Sequence, residues 1–432
     1  MKVWYTRFTK RILLLIFFWI GNWIHYSAFG QSFYPQQQYQ PGQPASVTTF
    51  GTLYNPVPIL IHSAATYYHG PQDVWATAYL PFESEYDASK TAIPFSQDYT
   101  TAIALTSAKN DALGLYAPIE VIALAKSPNT NLMNRYPFAS VVPNNVNQAT
   151  YTGPFNTLKD LNQNDPSFNN PLASEYAISV LEAAQKYTKF THDFFGHNGI
   201  DKQGDIVILA NVNNSPDALT GFDTEEKAFY FSVSALPGYP HVERSTIGHE
   251  LTHALLNFGN LGNLDYLEGT EIASLNESFA DIIGLSFENW VDPNKKFVNP
   301  NWIIANLSGP FPVNKAYRPF DNPKFRNSPN TYKGTYWKLS SEPGYRPHNN
   351  GMVMSHWFYL LNVAKSGYID DDPARGSYIT APLIPGDKTA TYTLALKIIF
   401  KAMTEKLAYL DGFPEMRIKT LEAAVELGNP VG

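Results

Sequence analysis

The stretch Ser245 to Leu256, "STIGHELTHALL", sets His249 and His253 four residues apart with Glu250 directly after the first. On an α-helix residues i and i+4 share a face, so two imidazoles can reach one ion while Glu250 points to the side where a water activated by that ion would stand. A zinc centre that does chemistry takes three protein ligands and keeps one position open. Downstream, "LNESFADIIG" supplies Glu277 and, four residues later on the same helical face, Asp281. Glu277 is the candidate third ligand. Asp281 is the candidate acceptor for the outer N–H of a ligand histidine, a contact that fixes the imidazole tautomer. The plainer alternatives are a helix whose histidines are merely hydrogen-bonded and an acidic pair on a solvated face. The apolar residues flanking Glu277 and the histidine pair upstream favour the metal. The chain has no cysteine, so a disulfide framework and a thiol nucleophile are excluded and any metal is left to histidine and carboxylate.

The elements that must carry these residues follow from patterning. Between about Thr49 and Pro171, apolar or alternating runs such as "PILIHSAATYYH", "VWATAYL" and "IEVIALA" are separated by Asn, Pro, Asp and Gly clusters, which predicts strands and long loops. "PLASEYAISVLEAAQKYTKFTHDFF" has helical spacing at Tyr176, Val180, Leu181, Ala184, Tyr187 and Phe190, with Ser174 as the expected N-cap. "GDIVILANV" reads as a strand. From His249 onward helical patterns dominate, in "HELTHALLNF", "LNESFADIIGLSFENWV", "SHWFYLLNVAK" and "TLALKIIFKAMTEKLAYL", and no internal repeat is visible.

At the N-terminus Lys2, Arg7, Lys10 and Arg11 precede an apolar run from Ile12 to Ile20, and Ala28-Phe29-Gly30 offers small residues for cleavage. The run falls short of the roughly 20 residues a membrane span needs. Residues 1–30 are therefore expected to be a cleaved export signal, and 31–48, rich in Gln and Pro, an extended leader. The mature protein is expected to be secreted or extracytoplasmic, soluble, monomeric and without a stable membrane anchor. With 31 basic and 38 acidic residues the net charge is -7, without the basic excess that nucleic-acid binding requires, so no nucleic-acid partner is expected. A chain of 432 residues exceeds what one core usually serves, which predicts two lobes.

"HELTH" followed by "NESFAD" resembles the thermolysin family of secreted zinc metallopeptidases. "YRPFDNP" with "TYKGTYW" is similar to the family's arginine-containing stretch, "HNNGMVMSHWFYLL" to the segment with its catalytic histidine, and the tail from "LALKIIFKAMTEKL" to its closing helices. The likeness runs from Leu172 to Gly428. It implies an α+β, two-lobed metallopeptidase: a β-rich N-terminal lobe over 49–248, a mainly helical C-terminal lobe over 249–432 that begins with the zinc helix, and an active-site cleft between them. It implies Zn²⁺ held by His249, His253 and Glu277, Glu250 as general base, Asp281 behind the ligands, Arg318 as a substrate carbonyl binder and His348 as transition-state stabiliser. Trp357, Phe358 and Tyr359 fix the register that selects His348 over His356. Glu250 would take the proton of a water that zinc acidifies to a pKa of about 7 and pass it to the leaving nitrogen of a peptide or protein substrate.

The sequence also departs from that family. An aspartate that helps bind structural calcium is replaced by Ser245, and Asn301, Ile303 and Asn306 stand where carboxylates are usual, leaving Glu288. A hard divalent cation needs several charged oxygens, so the calcium sites are expected to be lost. The substrate-binding Asn-Ala is written Asp217-Ala218, the nearest tyrosine to a substrate position is Tyr266, and Tyr317 precedes Arg318 where a pocket-lining leucine is common. These departures keep a competing reading open: an exported zinc-binding protein, weak or inactive as a catalyst, that binds peptides or surfaces.

Overall fold

Helix and strand in the described residues follow the two periodicities of their apolar side chains. The computed structural model describes residues 57–78, 99–107, 109–126, 171–206, 208–213, 220–223, 228–232, 240–259, 269–293, 297–307 and 317–428. The expected signal and leader, Asp217, Ala218 and Tyr266 lie outside these residues. No helix among them is long and apolar enough to cross a membrane.

Strands β1 (Val57–Thr66) and β2 (Gly70–Ala78) form an antiparallel hairpin. A five-stranded sheet follows from β3 (Tyr99–Ser107), β4 (Ile119–Lys126), β5 (Ile208–Asn213), β6 (Gly221–Asp223) and β7 (Ala228–Ser232), in the order β3-β4-β5-β7-β6. Its centre, β4-β5-β7, is parallel. Helix α1 (Pro171–Phe195) makes the crossover that the parallel pair β4-β5 requires. Alternate residues of these strands, Ile119 and Val121, Ile208 and Ala210, Phe229 and Phe231, are buried in one core with α1.

The six apolar positions whose spacing predicted α1 are all buried. The helix starts at Pro171, so Ser174 sits inside its first turn and is not the N-cap expected of it. Proline is tolerated there because the first helical N–H groups have no intrahelical acceptor. Helix α1 also buries Glu182, Gln185 and Thr188, each with a partner. Gln185 exchanges two hydrogen bonds with the backbone of Trp75 and so ties the hairpin to the helix.

The rest is mainly helical: α2 (Arg244–Phe258), α3 (Glu271–Val291), α4 (Pro347–Asn362), α5 (Lys388–Lys401) and α6 (Phe413–Glu426). Two short pairings, β8 (Ile303–Ile304) with β9 (Arg318–Pro319) and β10 (Lys365–Tyr368) with β11 (Ser377–Thr380), join them. The pattern "TLALKIIFKAMTEKLAYL" predicts a helix to about Leu410. Instead the α-helix stops at Lys401, widens into a π-turn over Ala402–Lys406 and gives way to extended backbone at Leu407. The apolar period continues past the turn, but Lys401 and Lys406 are both drawn to Glu426 of α6, which fixes where the chain turns back.

Helices α2 and α3 cross where neither has a side chain. A Cβ on Gly284 would lie 2.5 Å from the Ser245 carbonyl oxygen and 2.6 Å from the His249 nitrogen, and one on Gly248 would lie 3.0 Å from the Gly284 Cα. Backbone cannot step aside as a flexible side chain can. Gly284→Ala is therefore expected to lower stability by about 1–3 kcal/mol, the usual range for overpacking. Because the displaced atoms belong to His249, zinc affinity should fall with it. Thermal melting and competition for zinc with a chromophoric chelator would check both; an unchanged melting temperature would disprove the crossing.

Candidate metal centre

Helix α2 carries His249, Glu250 and His253, and α3 carries Asn276, Glu277 and Asp281 on the face turned towards it. The crossing brings three donor atoms together. His249 Nε2 and His253 Nε2 are 3.0 Å apart, and Glu277 Oε2 lies 3.4 Å from the first and 3.6 Å from the second. Donors placed 2.0–2.2 Å from one ion at tetrahedral angles stand roughly 3.3 Å apart, so the triangle has the size of a zinc ligand set.

Two features show that this arrangement suits a cation. Glu277 Oε2 is buried and has no aligned hydrogen-bond donor, although imidazole nitrogens surround it. The outer nitrogens of both histidines face acceptors: His253 Nδ1 is 3.1 Å from Asn276 Oδ1, and His249 Nδ1 is 2.8 Å from Asp281 Oδ1, at contact distance but without the alignment of a formed hydrogen bond. Protons on the Nδ1 atoms leave two Nε2 lone pairs facing each other, which is unfavourable unless something positive sits between them. These residues fit zinc.

The buried carboxylates also make the site favourable to positive charge, which without an ion is met by a proton on His249. Burial disfavours the charged form of His249, but Asp281 and Glu277 outweigh it and raise its pKa to about 10. Burial works against the Asp281 carboxylate, yet Arg318 and His249 hold it down to about 2. Burial likewise opposes the Glu277 carboxylate, and the imidazoles of His348 and His253 more than reverse this, keeping it well below its ordinary value. Burial is also the main cause that pushes Glu250 above its ordinary value, which suits a group that must hold a transferred proton.

His348, at the start of α4, places Nε2 3.0 Å from Glu277 Oε2, and its ring stacks 6.2 Å from that of His249. His356, the other histidine of that helix, is buried with Nδ1 2.7 Å from the Phe320 carbonyl oxygen. Arg318 grips Asp281 with two nitrogens: Nε donates to Oδ2 at 2.7 Å, and a terminal nitrogen donates to Oδ1. Two of its three guanidinium nitrogens are thus committed to Asp281. Asn276 was not singled out from the sequence. The signal was available, since the second histidine also needs an acceptor for its outer nitrogen and Asn276 directly precedes Glu277.

Behind α3, amide and hydroxyl groups hold the segment from Asn301 to Ala305, and the Glu243 carboxylate accepts from Leu307 N at 2.8 Å. Asn301 N donates to Asn289 Oδ1 at 2.7 Å, and Asn301 Nδ2 donates to the Ile303 carbonyl at 2.8 Å. Ala305 N donates to Ser245 Oγ at 3.4 Å. Trp302 packs on Tyr359 and Tyr392, with ring centroids 5.1 and 5.6 Å away, and Trp290 lies 5.6 Å from Phe190.

Residues 263–430 match the family model described as thermolysin metallopeptidase, alpha-helical domain. The chain is 26% identical over 182 residues to bacillolysin of Bacillus caldolyticus, covering 42% of this chain and 29% of that protein. It is 25% identical over 270 residues to the transglutaminase-activating metalloprotease of Streptomyces mobaraensis, covering 61% of this chain and 33% of that protein. Each match thus spans a third or less of the curated relative. Among solved structures, the precursor of protealysin, a metalloproteinase from Serratia proteamaculans, is similar with a TM-score of 0.40 and 14% identity, over 58% of this chain and 73% of that one.

Proposed function

Since the chain is a divergent member of the thermolysin metallopeptidase family, we propose that it is a secreted zinc-dependent endopeptidase. The convergence of His249 Nε2, His253 Nε2 and Glu277 Oε2 to within 3.0–3.6 Å, beside a buried Glu250, carries this reading. In the proposal, residues 1–30 are an export signal, 31–48 a leader, 49–248 the β-rich lobe and 249–432 the helical lobe, with the site in a cleft between the lobes. Asp217, Ala218 and Tyr266 are proposed to contact substrate.

His249, His253 and Glu277 would hold the zinc. Bound zinc supplies Lewis acidity, polarising the substrate carbonyl and lowering the pKa of water. Glu250 accepts the proton of the attacking water and delivers it to the leaving nitrogen. His348 donates a hydrogen bond to the oxyanion that develops on the carbonyl. Asp281 and Asn276 keep the Nδ1–H tautomers of the ligand histidines. Arg318 steadies Asp281 and offers its remaining N–H to a substrate carbonyl.

The deciding experiment is hydrolysis of a fluorogenic peptide library by the purified chain, before and after removal of zinc with a selective chelator and after its return. Cleavage lost and restored with zinc supports the peptidase. The 3.0 Å approach of His348 Nε2 to Glu277 Oε2 favours the second reading, a catalytically weak or inactive zinc-binding exported protein that binds peptides or surfaces, because a ring turned towards a ligand is turned away from an oxyanion. No cleavage by the zinc-loaded protein would establish that reading. If the enzyme is active, His348→Ala should lower kcat by about a hundredfold, the usual loss for one oxyanion donor, with KM little changed. Steady-state kinetics on one good peptide checks it, and an unchanged kcat would remove His348 from the mechanism.

The family's calcium sites are proposed to be lost, since Ser245, Asn301, Ile303 and Asn306 stand where carboxylates are usual and protein contacts hold the segment from Asn301 to Leu307. Millimolar calcium should move the melting temperature by less than about 2 °C, because an ion without a site adds no binding energy to the folded state. A large calcium-dependent rise that disappears in Glu288→Gln would show that a site survives.

A further inference from the structure

His348, given above the part of an oxyanion donor, stands where a metal ligand would stand. A nitrogen of His249, an oxygen of Glu277 and a nitrogen of His348 lie within 4.8 Å of one another. Three imidazole nitrogens surround the one oxygen, Glu277 Oε2: His348 Nε2 at 3.0 Å, His249 Nε2 at 3.4 Å and His253 Nε2 at 3.6 Å. None is aligned with it as a hydrogen bond. An imidazole N–H and an imidazole lone pair leave the ring in the same direction, so a nitrogen close to an oxygen but unaligned points past it. Donors that share one ion do this, because each is aimed at the ion and not at its neighbour.

Helix packing puts His348 there. Helix α4 follows Arg346, and His348, Gly351 and Ser355 fall at i, i+3 and i+7 on one of its faces. That face lies against α3. A Cβ on Gly351 would lie 2.6 Å from the Ser274 carbonyl oxygen and 3.3 Å from the Ser278 nitrogen, and Ser355 Oγ is 2.9 Å from Ser278 Oγ. The backbone that carries His348 is thus held against the helix that carries Glu277, while the His348 side chain is 42% exposed. Its ring can turn out to solvent without either helix moving.

We propose that His348 is a fourth protein ligand of the zinc centre in the resting protein, beside His249, His253 and Glu277. A zinc site with four protein ligands is closed, whereas a hydrolytic site keeps one position open. The centre is therefore latent at rest, and His348 rotates away before substrate enters. The inference rests on the zinc reading of the other three ligands and deepens it: one imidazole closes the site at rest and serves the oxyanion once released.

The test uses the full chain loaded with zinc or with cobalt(II), in the absence of peptide. X-ray absorption at the zinc edge should detect the imidazoles of His249, His253 and His348 in the parent and lose one of them in His348→Ala. Zinc affinity, measured by competition with a chromophoric chelator, should fall in the variant by at least about tenfold, the smallest loss usual for even an outer contact of a metal site. The visible spectrum of the cobalt(II) form should ignore added azide in the parent and respond to it in the variant, where a position has opened. Circular dichroism checks that the variant is folded; if it is not, the parent's imidazole count and azide response decide alone. A parent centre with only two imidazoles, a parent spectrum that responds to azide, or an unchanged zinc affinity in the folded variant would overturn the fourth ligand. A parent that binds no zinc would overturn it together with the metal centre. Peptide cleavage tests the peptidase reading separately: a three-imidazole centre without cleavage would keep the ligand and drop the peptidase, and cleavage by a two-imidazole centre would do the reverse.

Discussion

Glu250→Gln is expected to bind zinc as tightly as the parent chain while kcat falls by about a thousandfold or more. The exchange keeps the shape of a buried side chain and removes only its ability to take a proton. Two groups of side chains could hold an ion, His249 with Glu250 and His253, and His249 with Glu277 and His348, so geometry brings both Glu250 and Glu277 within reach of a metal set. The Glu277 oxygen lies 3.4 and 3.6 Å from the two imidazoles, and it is buried without an aligned donor. A metal-content measurement beside single-turnover kinetics separates the alternatives. Zinc retained with turnover lost assigns Glu250 as base and Glu277 as ligand. Zinc lost in Glu250→Gln and retained in Glu277→Gln would reverse the two roles and sink the mechanism proposed here.

Glu182→Ala is expected to destabilise the fold by about 3–5 kcal/mol, the range for breaking one side of a buried ion pair. Glu182 lies in the middle of α1 with 1% exposure, and its oxygens take the guanidinium of Arg244 at 2.5 and 3.1 Å. Lys186 joins at 2.5 Å. Arg244 is the first residue of α2, so the pair fastens α2 to α1. Removing the carboxylate leaves the Arg244 charge buried, with the neutral Gln72 as its hydrogen-bond acceptor among the described side chains.

The contribution of Glu182 should also depend on pH. Burial opposes its ionised form, but Arg244 and Lys186 prevail and hold its folded-state pKa below the ordinary 4.5. A carboxyl whose pKa is depressed by folding stabilises fully above its unfolded value, and this is lost as pH falls through the folded one. The stability gap between parent and variant should therefore be largest near neutrality and shrink below about pH 4.5. Urea titrations at several pH values would measure it, and a gap independent of pH would mean that the carboxylate charge is not what holds the two helices together.

Much of the site was legible from local pattern because its parts lie within single helices. A spacing of four puts His249 beside His253 on any α-helix, and the same holds for Glu277 and Asp281. The six apolar positions of α1 identified its buried stripe without reference to what covers it. Helix ends were harder to read. The start at Pro171 and the π-turn after Lys401 depend on contacts with other elements, and neither interrupts the apolar period.

By itself, then, the sequence determined the side chains that could bind a cation, the helices that carry them and the exclusion of cysteine ligands, because residue type and helical period are properties of the chain at short range. Tertiary structure alone decided whether the two helices come close enough for one ion. That distance depends on Gly248 and Gly284 meeting without side chains, and the two lie 36 positions apart in residue number (284 − 248). It also decided that His348 stands beside Glu277 and His356 in the core, and that Arg318 turns two nitrogens to Asp281. Long-range pairings of this kind are set by how elements cross and pack, and no periodicity along the chain encodes them.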